Sequence, residues 1–284
     1  MARIELRDLS LEYTDRGTGP PLVLVHGSAS DCRTWEAQLP AFEANFRTLT
    51  YSRRYHWPND PAPADAEYDM TGQVADLEAF LQALKLDKVH LVGHSYGAYL
   101  CLMLAMKKPS LVDRLVLGEP PVIPLFTSFP PKPHQILALL CTHPGTAAPV
   151  IKFMATGLGP AIIAAKKDNM TRAITRFGKA VLGKEAFAAL PAERMLQVTV
   201  NSSQAELLSD SFMTPISPAE VRRIAHPVLL VTGARSPRMF HKLADHLFRL
   251  LPNATQVDIP GASHIMHEDN APAYNREVLS FLRQ

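Results

Sequence analysis

Residues 91–97 read Leu-Val-Gly-His-Ser-Tyr-Gly, an apolar run that ends in a serine set between two glycines, with a helix-like stretch from Tyr96 to Lys107 behind it. A continuous aliphatic run of this length reads as a strand covered on both faces. Strand, Gly-x-Ser-x-Gly and helix in that order describe a sharp turn that lifts a serine hydroxyl out of the sheet. The hydroxyl of Ser95 then sits at the positive end of the following helix, and Gly93 and Gly97 leave the room such a turn needs. A serine hydroxyl is a weak nucleophile near neutral pH, so Ser95 requires a base and an acid from elsewhere in the chain.

A base is available downstream. The stretch QVDIPGASHIMHE, residues 256–268, places His264 in a loop after the last strand, from which it can reach a nucleophile above the sheet. His267 competes with it from three residues further on, and the loop position favours His264. The backbone donors of an oxyanion hole are available after the first long strand, LVLVHG, in residues 25–31, VHGSASD. Gly27 permits close approach, Ser28 offers its N–H, and Tyr96 offers the N–H that follows the nucleophile.

Strand-like blocks recur around this motif. A half-buried hairpin over Ile4 to Tyr13, turning through Asp8-Leu9-Ser10, precedes blocks at Phe46 to Tyr51, Leu115 to Gly118, Val228 to Gly233 and Thr255 to Ile259. Helical stretches, notably Thr71 to Leu84, lie between them, which predicts a mostly parallel sheet with helices on both faces. The alternation stops after Pro120. Helical segments at His134 to Cys141, Pro149 to Ala155, Met170 to Leu182 and Ser203 to Leu208 follow one another without strands. They divide the chain into core residues 1–120, an inserted helical lid over 121–220 and core residues 221–284. Phe126, Phe129, Phe153 and Met154 read as lid packing.

The composition is that of an ordinary globular chain of 284 residues, 47% hydrophobic and 20% charged. A net charge of +2 without a long basic run disfavours nucleic acid as a partner. Three unpatterned cysteines suggest neither a disulfide scaffold nor a zinc site. No signal-peptide pattern opens the chain and no stretch reads as an 18-residue apolar span, so the expectation is a cytoplasmic protein with no membrane span and, as one possibility, a homo-oligomer.

Taken together, His26-Gly27, Gly93-His94-Ser95-Tyr96-Gly97 and Gly261-Ala262-Ser263-His264 resemble the alpha/beta hydrolase family, over nearly all of residues 20–284 outside the lid. The resemblance implies the alpha/beta-hydrolase fold, a serine hydrolase with no metal or organic cofactor, and a triad acid after the penultimate strand. That turn here is Gly233-Ala234-Arg235-Ser236-Pro237-Arg238, without a carboxylate; Asp245 is too far into the next helix and Asp258 lies within a strand. Certain lactonases and haloalkane dehalogenases take the acid one strand beyond the nucleophile, where this chain has Glu119. The implied catalytic order is Ser95, Glu119, His264.

Arg235 then stands where the family's acid usually does, free to pair with Glu119, steady the loop or bind an anionic group. Arg53, Arg54, His56 and Trp57 replace the usual acidic, glycine-containing stretch and are substrate-binding candidates, with the alternative that Arg53 or Arg54 anchors the lid or a carboxylate. The function expected is acyl transfer to water on a fairly hydrophobic ester or lactone. Open alternatives are carbon-carbon bond hydrolysis of a dioxo acid, amide hydrolysis, perhydrolysis, and a catalytically silent ligand receptor motivated by the missing conventional acid. A serine nucleophile counts against dehalogenase and epoxide hydrolase chemistry, for which related folds use aspartate.

Overall fold

A computed structural model describes the chain from residue 1 to 284 except Asp8, Ala64, Asp65, Glu67, Phe129 and Pro130. The turn residue Asp8 and the lid residue Phe129 therefore lie outside the described residues. Among the described residues eight strands form one sheet: β1 (Ala2–Glu5), β2 (Ser10–Arg16), β3 (Pro21–Val25), β4 (Arg47–Tyr51), β5 (Val89–His94), β6 (Val112–Gly118), β7 (Val228–Gly233) and β8 (Ala254–Ile259). Their spatial order is β1-β2-β4-β3-β5-β6-β7-β8. The hairpin β1-β2 and the pair β2-β4 are antiparallel, and every later pair is parallel.

The aliphatic runs are explained by burial on two sides. In β3, Leu22 and Leu24 face a core shared with Trp35, Val92, Val116, Tyr274 and Phe281, whereas Val23 and Val25 face a second core with Leu49, Leu91, Leu115 and Phe80. Alternate residues of one strand feed opposite cores, so a central strand has no polar face to show. The helices that cover the sheet carry their own signals. Asp69 caps Met70–Ala83 by accepting from the N–H groups of Thr71 at 2.7 Å and Gly72 at 3.0 Å. In Arg238–Leu250, Met239, Phe240, Leu243, Ala244, Leu247 and Leu250 make one buried stripe at helical spacing.

Between β6 and β7 the described residues form helices and turns and no strand. The insertion holds Pro133–Thr142, Pro144–Phe153, Gly159–Ala165, Met170–Leu182, Lys184–Ala188, Ala192–Val200 and Gln204–Leu208. A π-helical turn at Met154–Leu158 joins the second and third into one 22-residue helix, Pro144–Ala165, of mean hydropathy 1.5 in its most apolar window. By length and mean hydropathy alone that helix could cross a bilayer, although Lys152 interrupts its apolar run. In the fold it packs against Met170–Leu182 and Arg238–Leu250. The sequence reading also began this helix too late and passed over Ala192–Val200 altogether.

Parallel strands align their carboxyl ends along one edge, and there the loops after β3, β5, β6, β7 and β8 converge beneath the insertion.

Candidate active site

Ser95 follows β5 directly with φ 52° and ψ −120°, a left-handed conformation that a residue with a Cβ adopts only when its surroundings enforce it. The enforcement is local. The Ser95 N–H donates to Gly118 O at 2.7 Å, and Tyr96 starts the helix immediately. A Cβ on Gly97 would lie 2.2 Å from Val25 O, and one on Gly93 would lie 2.5 Å from Ala98 Cα. Both glycines are therefore fixed by close backbone approach, and the turn they permit leaves the serine facing the cavity.

Glu119 comes off β6 with φ 47°, also left-handed, and is 1% exposed. One carboxylate oxygen, Oε2, accepts from His264 Nδ1 in a short hydrogen bond, and the other, Oε1, accepts from the Gly233 N–H at 2.8 Å. The turn that usually carries the acid thus holds a carboxylate arriving from the neighbouring strand. Asp258 is engaged elsewhere, accepting from the Thr232 hydroxyl. A carboxylate on Nδ1 fixes the tautomer with Nε2 unprotonated and free to accept.

The His264 ring stacks on Phe240 at 4.1 Å between centroids, and its backbone carbonyl accepts from His94 Nε2 at 2.8 Å. Burial, with His267 and His264 adding to it, holds His94 well below the ordinary imidazole range, so it serves as a neutral donor that pins the histidine loop to the elbow. His267, the competing base, is fully buried against Trp35 and bonded to the Thr34 hydroxyl at 2.8 Å. Ser95 and His264 line one cavity of about 70 Å³. No hydrogen bond joins their side chains among the described residues; such contacts commonly tighten only around substrate.

Gly27 and Ser28 lie across from the nucleophile. A Cβ on Gly27 would come within 3.0 Å of Ser95 Cβ, and Ser28 lines the cavity. Tyr96, as first residue of its helix, has an N–H that intrahelical bonding leaves free. The loop is braced from behind by residues that the sequence offered as substrate contacts. Arg53 is 1% exposed; its guanidinium donates to His26 O at 3.2 Å, Gly27 O at 3.1 Å, Tyr68 Oη at 2.7 Å and Gln73 Oε1 at 3.1 Å. His26 Nε2 accepts from the Arg53 N–H at 2.9 Å, and burial followed by the nearby Arg53 charge lowers its pKa to about 3.

None of the five residues offered for substrate binding lines the cavity that holds Ser95. Arg53 clamps the oxyanion loop. Arg54 forms a two-pronged pair with Asp76 at 2.5 and 2.6 Å. His56 is buried, bonded to Ser30 O at 2.8 Å and Tyr68 Oη at 3.2 Å. Trp57 lies under the Arg33 guanidinium at 3.8 Å and ties its N–H to Asn201. Arg235 is exposed on an outer groove with Lys179, Lys184 and Arg238, on the far side of the wall made by Leu182.

Residues that the sequence reading missed complete the cavity. Ile174, Phe177, Leu182 and Phe187 form an apolar wall. Arg194 enters from Ala192–Val200, donating through Nε to Glu268 at 2.8 Å, while its buried Nη1 has no partner among the described residues. Glu206, from Gln204–Leu208, lines an adjoining hollow. Both lie in helix-forming stretches where a charged residue reads as a solvent face, so only the folding of the insertion onto the core reveals them.

The comparisons with known proteins bear on the fold and the family. The chain is similar to epoxide hydrolase 2 of Caenorhabditis elegans, 23% identical over 99% of this chain and 79% of that protein. A shorter stretch, 36% of this chain and 38% of the relative, is 39% identical to 2-hydroxy-6-oxo-2,4-heptadienoate hydrolase of Pseudomonas putida. Among solved structures, an enol-lactonase from Burkholderia xenovorans superposes with a TM-score of 0.78 at 18% identity, covering 100% of both chains. A carboxylesterase from Bacillus subtilis does so with 0.69 at 22% identity, over 99% of this chain and 90% of that one. The family model described as the alpha/beta hydrolase family matches residues 22–277. The sheet, the strained serine turn after β5 and that match agree, and the chain belongs to the alpha/beta hydrolase family.

Proposed function

We propose that this protein is a serine hydrolase that cleaves a small, fairly hydrophobic carboxylic ester or lactone through an acyl-enzyme. The observation that carries the reading is the buried hydrogen bond between Glu119 and His264 beside a cavity shared with Ser95. In the reaction, His264 Nε2 takes the Ser95 proton as Oγ attacks the carbonyl carbon. The Ser28 and Tyr96 N–H groups receive the oxyanion, and Glu119 stabilises the imidazolium. The imidazolium then returns its proton to the leaving alkoxide, which departs from an ester and stays tethered to the acyl group of a lactone. Water, deprotonated by the same histidine, attacks the acyl-enzyme and frees Ser95. The apolar wall supports a substrate of modest polarity, and the insertion acts as the lid that keeps bulk water from the acyl-enzyme.

A second reading is carbon-carbon bond hydrolysis of a dioxo acid. Arg194 favours it, because an unpartnered guanidinium nitrogen in the cavity suits a substrate carboxylate. The receptor reading drew on the missing acid, and the Glu119 contact argues against it.

Fluorophosphonate labelling followed by intact mass tests the main reading. One adduct on the wild type and none on Ser95→Ala are expected; a folded wild type that takes no label would count against it. Comparing neutral esters with carboxylate-bearing dioxo acids, in wild type and Arg194→Leu, separates the two reactions. A turnover that demands the carboxylate and is lost in Arg194→Leu would favour the second.

A further inference from the structure

The hollow that adjoins the catalytic cavity is about 30 Å³, room for one small group, and shares Ser28, Ala29, Ile174, Phe177 and Ser202 with it. Most of its remaining wall is apolar: Leu158, Leu207 and Phe212. The exceptions are Ser203 and, next to it on the following helix, Glu206. Glu206 is 5% exposed, and its Oε1 is fully buried without a hydrogen-bond partner among the described residues. Its other oxygen, Oε2, lies 3.7 Å from His56 Nε2, on the side of the cluster that braces the oxyanion loop. A buried carboxyl oxygen left without a partner costs free energy, so the site is arranged for something that brings one.

We propose that this hollow is a recognition site for a hydroxyl group on the substrate, and that Glu206 is the specificity residue that binds it. The proposal rests on the serine hydrolase reading for the bond that is cleaved, and on its own observations for the group that is recognised. Burial pushes the Glu206 carboxyl above its usual range, opposed by the Arg53 charge and by the Ser28 and Tyr68 hydroxyls nearby. A carboxyl oxygen accepts from an O–H in either protonation state, which matches a hydroxyl. The small volume and apolar remainder leave space for a hydroxyl at the end of one substrate arm and little else. The substrate class is therefore a hydroxylated ester or lactone.

Binding to Ser95→Ala tests this apart from turnover. The probes are methyl hexanoate and hexyl acetate, each paired with its terminally hydroxylated form, which puts the hydroxyl on the acyl arm or the alcohol arm. Calorimetry is expected to show the hydroxylated member of at least one pair binding about tenfold tighter, the value of one net hydrogen bond. Adding Glu206→Leu should remove that preference, while Glu206→Gln, which still donates and accepts, should keep most of it. Circular dichroism checks folding of each variant. Equal affinities within both pairs, absence of binding by all four probes, or a preference that survives Glu206→Leu would overturn the proposal; a buried water filling the hollow would give the first. Absence of fluorophosphonate labelling on wild type would instead strike the hydrolase reading and leave the binding preference to stand or fall by itself.

Discussion

At the scale of the residue, Glu119 does two jobs with its two oxygens, orienting His264 through one and drawing a backbone N–H of the β7 turn through the other. Replacing it with glutamine preserves the volume but puts a donor or a weaker acceptor on Nδ1, which favours the wrong imidazole tautomer. Under the proposed mechanism Glu119→Gln should lower kcat by about ten-thousand-fold with little change in KM. Steady-state kinetics on an ester, beside a thermal melt, would check this; a loss below tenfold would remove Glu119 from the triad. Gly97 allows an equally sharp prediction, since any Cβ there meets the Val25 carbonyl at 2.2 Å. Gly97→Ala should destabilise the fold by about 1–3 kcal/mol through overpacking of backbone against backbone, read from urea unfolding. An unchanged midpoint would mean that the elbow relaxes more easily than its packing implies.

Elements are joined here by polar knots as well as by apolar faces. Asp31 at the end of the oxyanion loop is fully buried and accepts from Gln197 at 2.8 Å and Asn201 at 2.6 Å, both from the end of the insertion that includes Ala192–Val200. Arg33 binds the same carboxylate at 2.9 and 2.7 Å. Burial alone would raise the Asp31 pKa, but the Arg33 hydrogen bonds outweigh it and the carboxyl stays ionised well into acid. The loop that approaches Ser95 and the helix that brings Arg194 are thereby held in one register. Asp31→Ala should leave the sheet intact, speed amide exchange across residues 192–201, and raise KM several-fold by loosening the lid over the cavity. Exchange rates in that segment equal to wild type would show that apolar packing alone holds the helix.

Over the whole molecule, a run of neutral histidines under the insertion makes the fold sensitive to acid. Burial, followed by nearby positive charges, lowers the pKa of His26 and of His267 to about 3 each. In the unfolded chain both return to about 6.5. Between these values the unfolded state binds more protons than the native state, so stability rises with pH across the window, is complete above about pH 6.5 and is lost as pH falls toward 3. Each group contributes a slope of about 1.4 kcal/mol per pH unit inside the window. Urea unfolding at several pH values should show this, and His267→Gln should flatten the slope by about one proton; the same slope in wild type and variant would mean that His267 does not carry the effect.

The sequence by itself determined a mostly parallel sheet with helices on both faces and pointed to Ser95 and His264, because those depend on local patterns: aliphatic runs covered on both faces, glycines where backbones touch, and a serine and a histidine in turns that follow strands. The family resemblance led further, to Glu119, because some members carry their acid one strand beyond the nucleophile and the turn after β7 has no carboxylate. The recognition side of the cavity was not legible. Arg53, Arg54, His56 and Trp57 carry chemistry that suits a substrate, yet tertiary packing turns them to bracing the oxyanion loop, pairing Asp76 and fixing the insertion. Arg194 and Glu206 look like solvent-facing charges on helices and reach the cavity only because the insertion folds back over Ser28 and Ser95. Turns at strand ends have a short-range geometry that sequence encodes locally; how an inserted layer packs on the sheet, and which of its side chains reach the cavity beside Ser95, is a long-range arrangement that exists only in the folded chain.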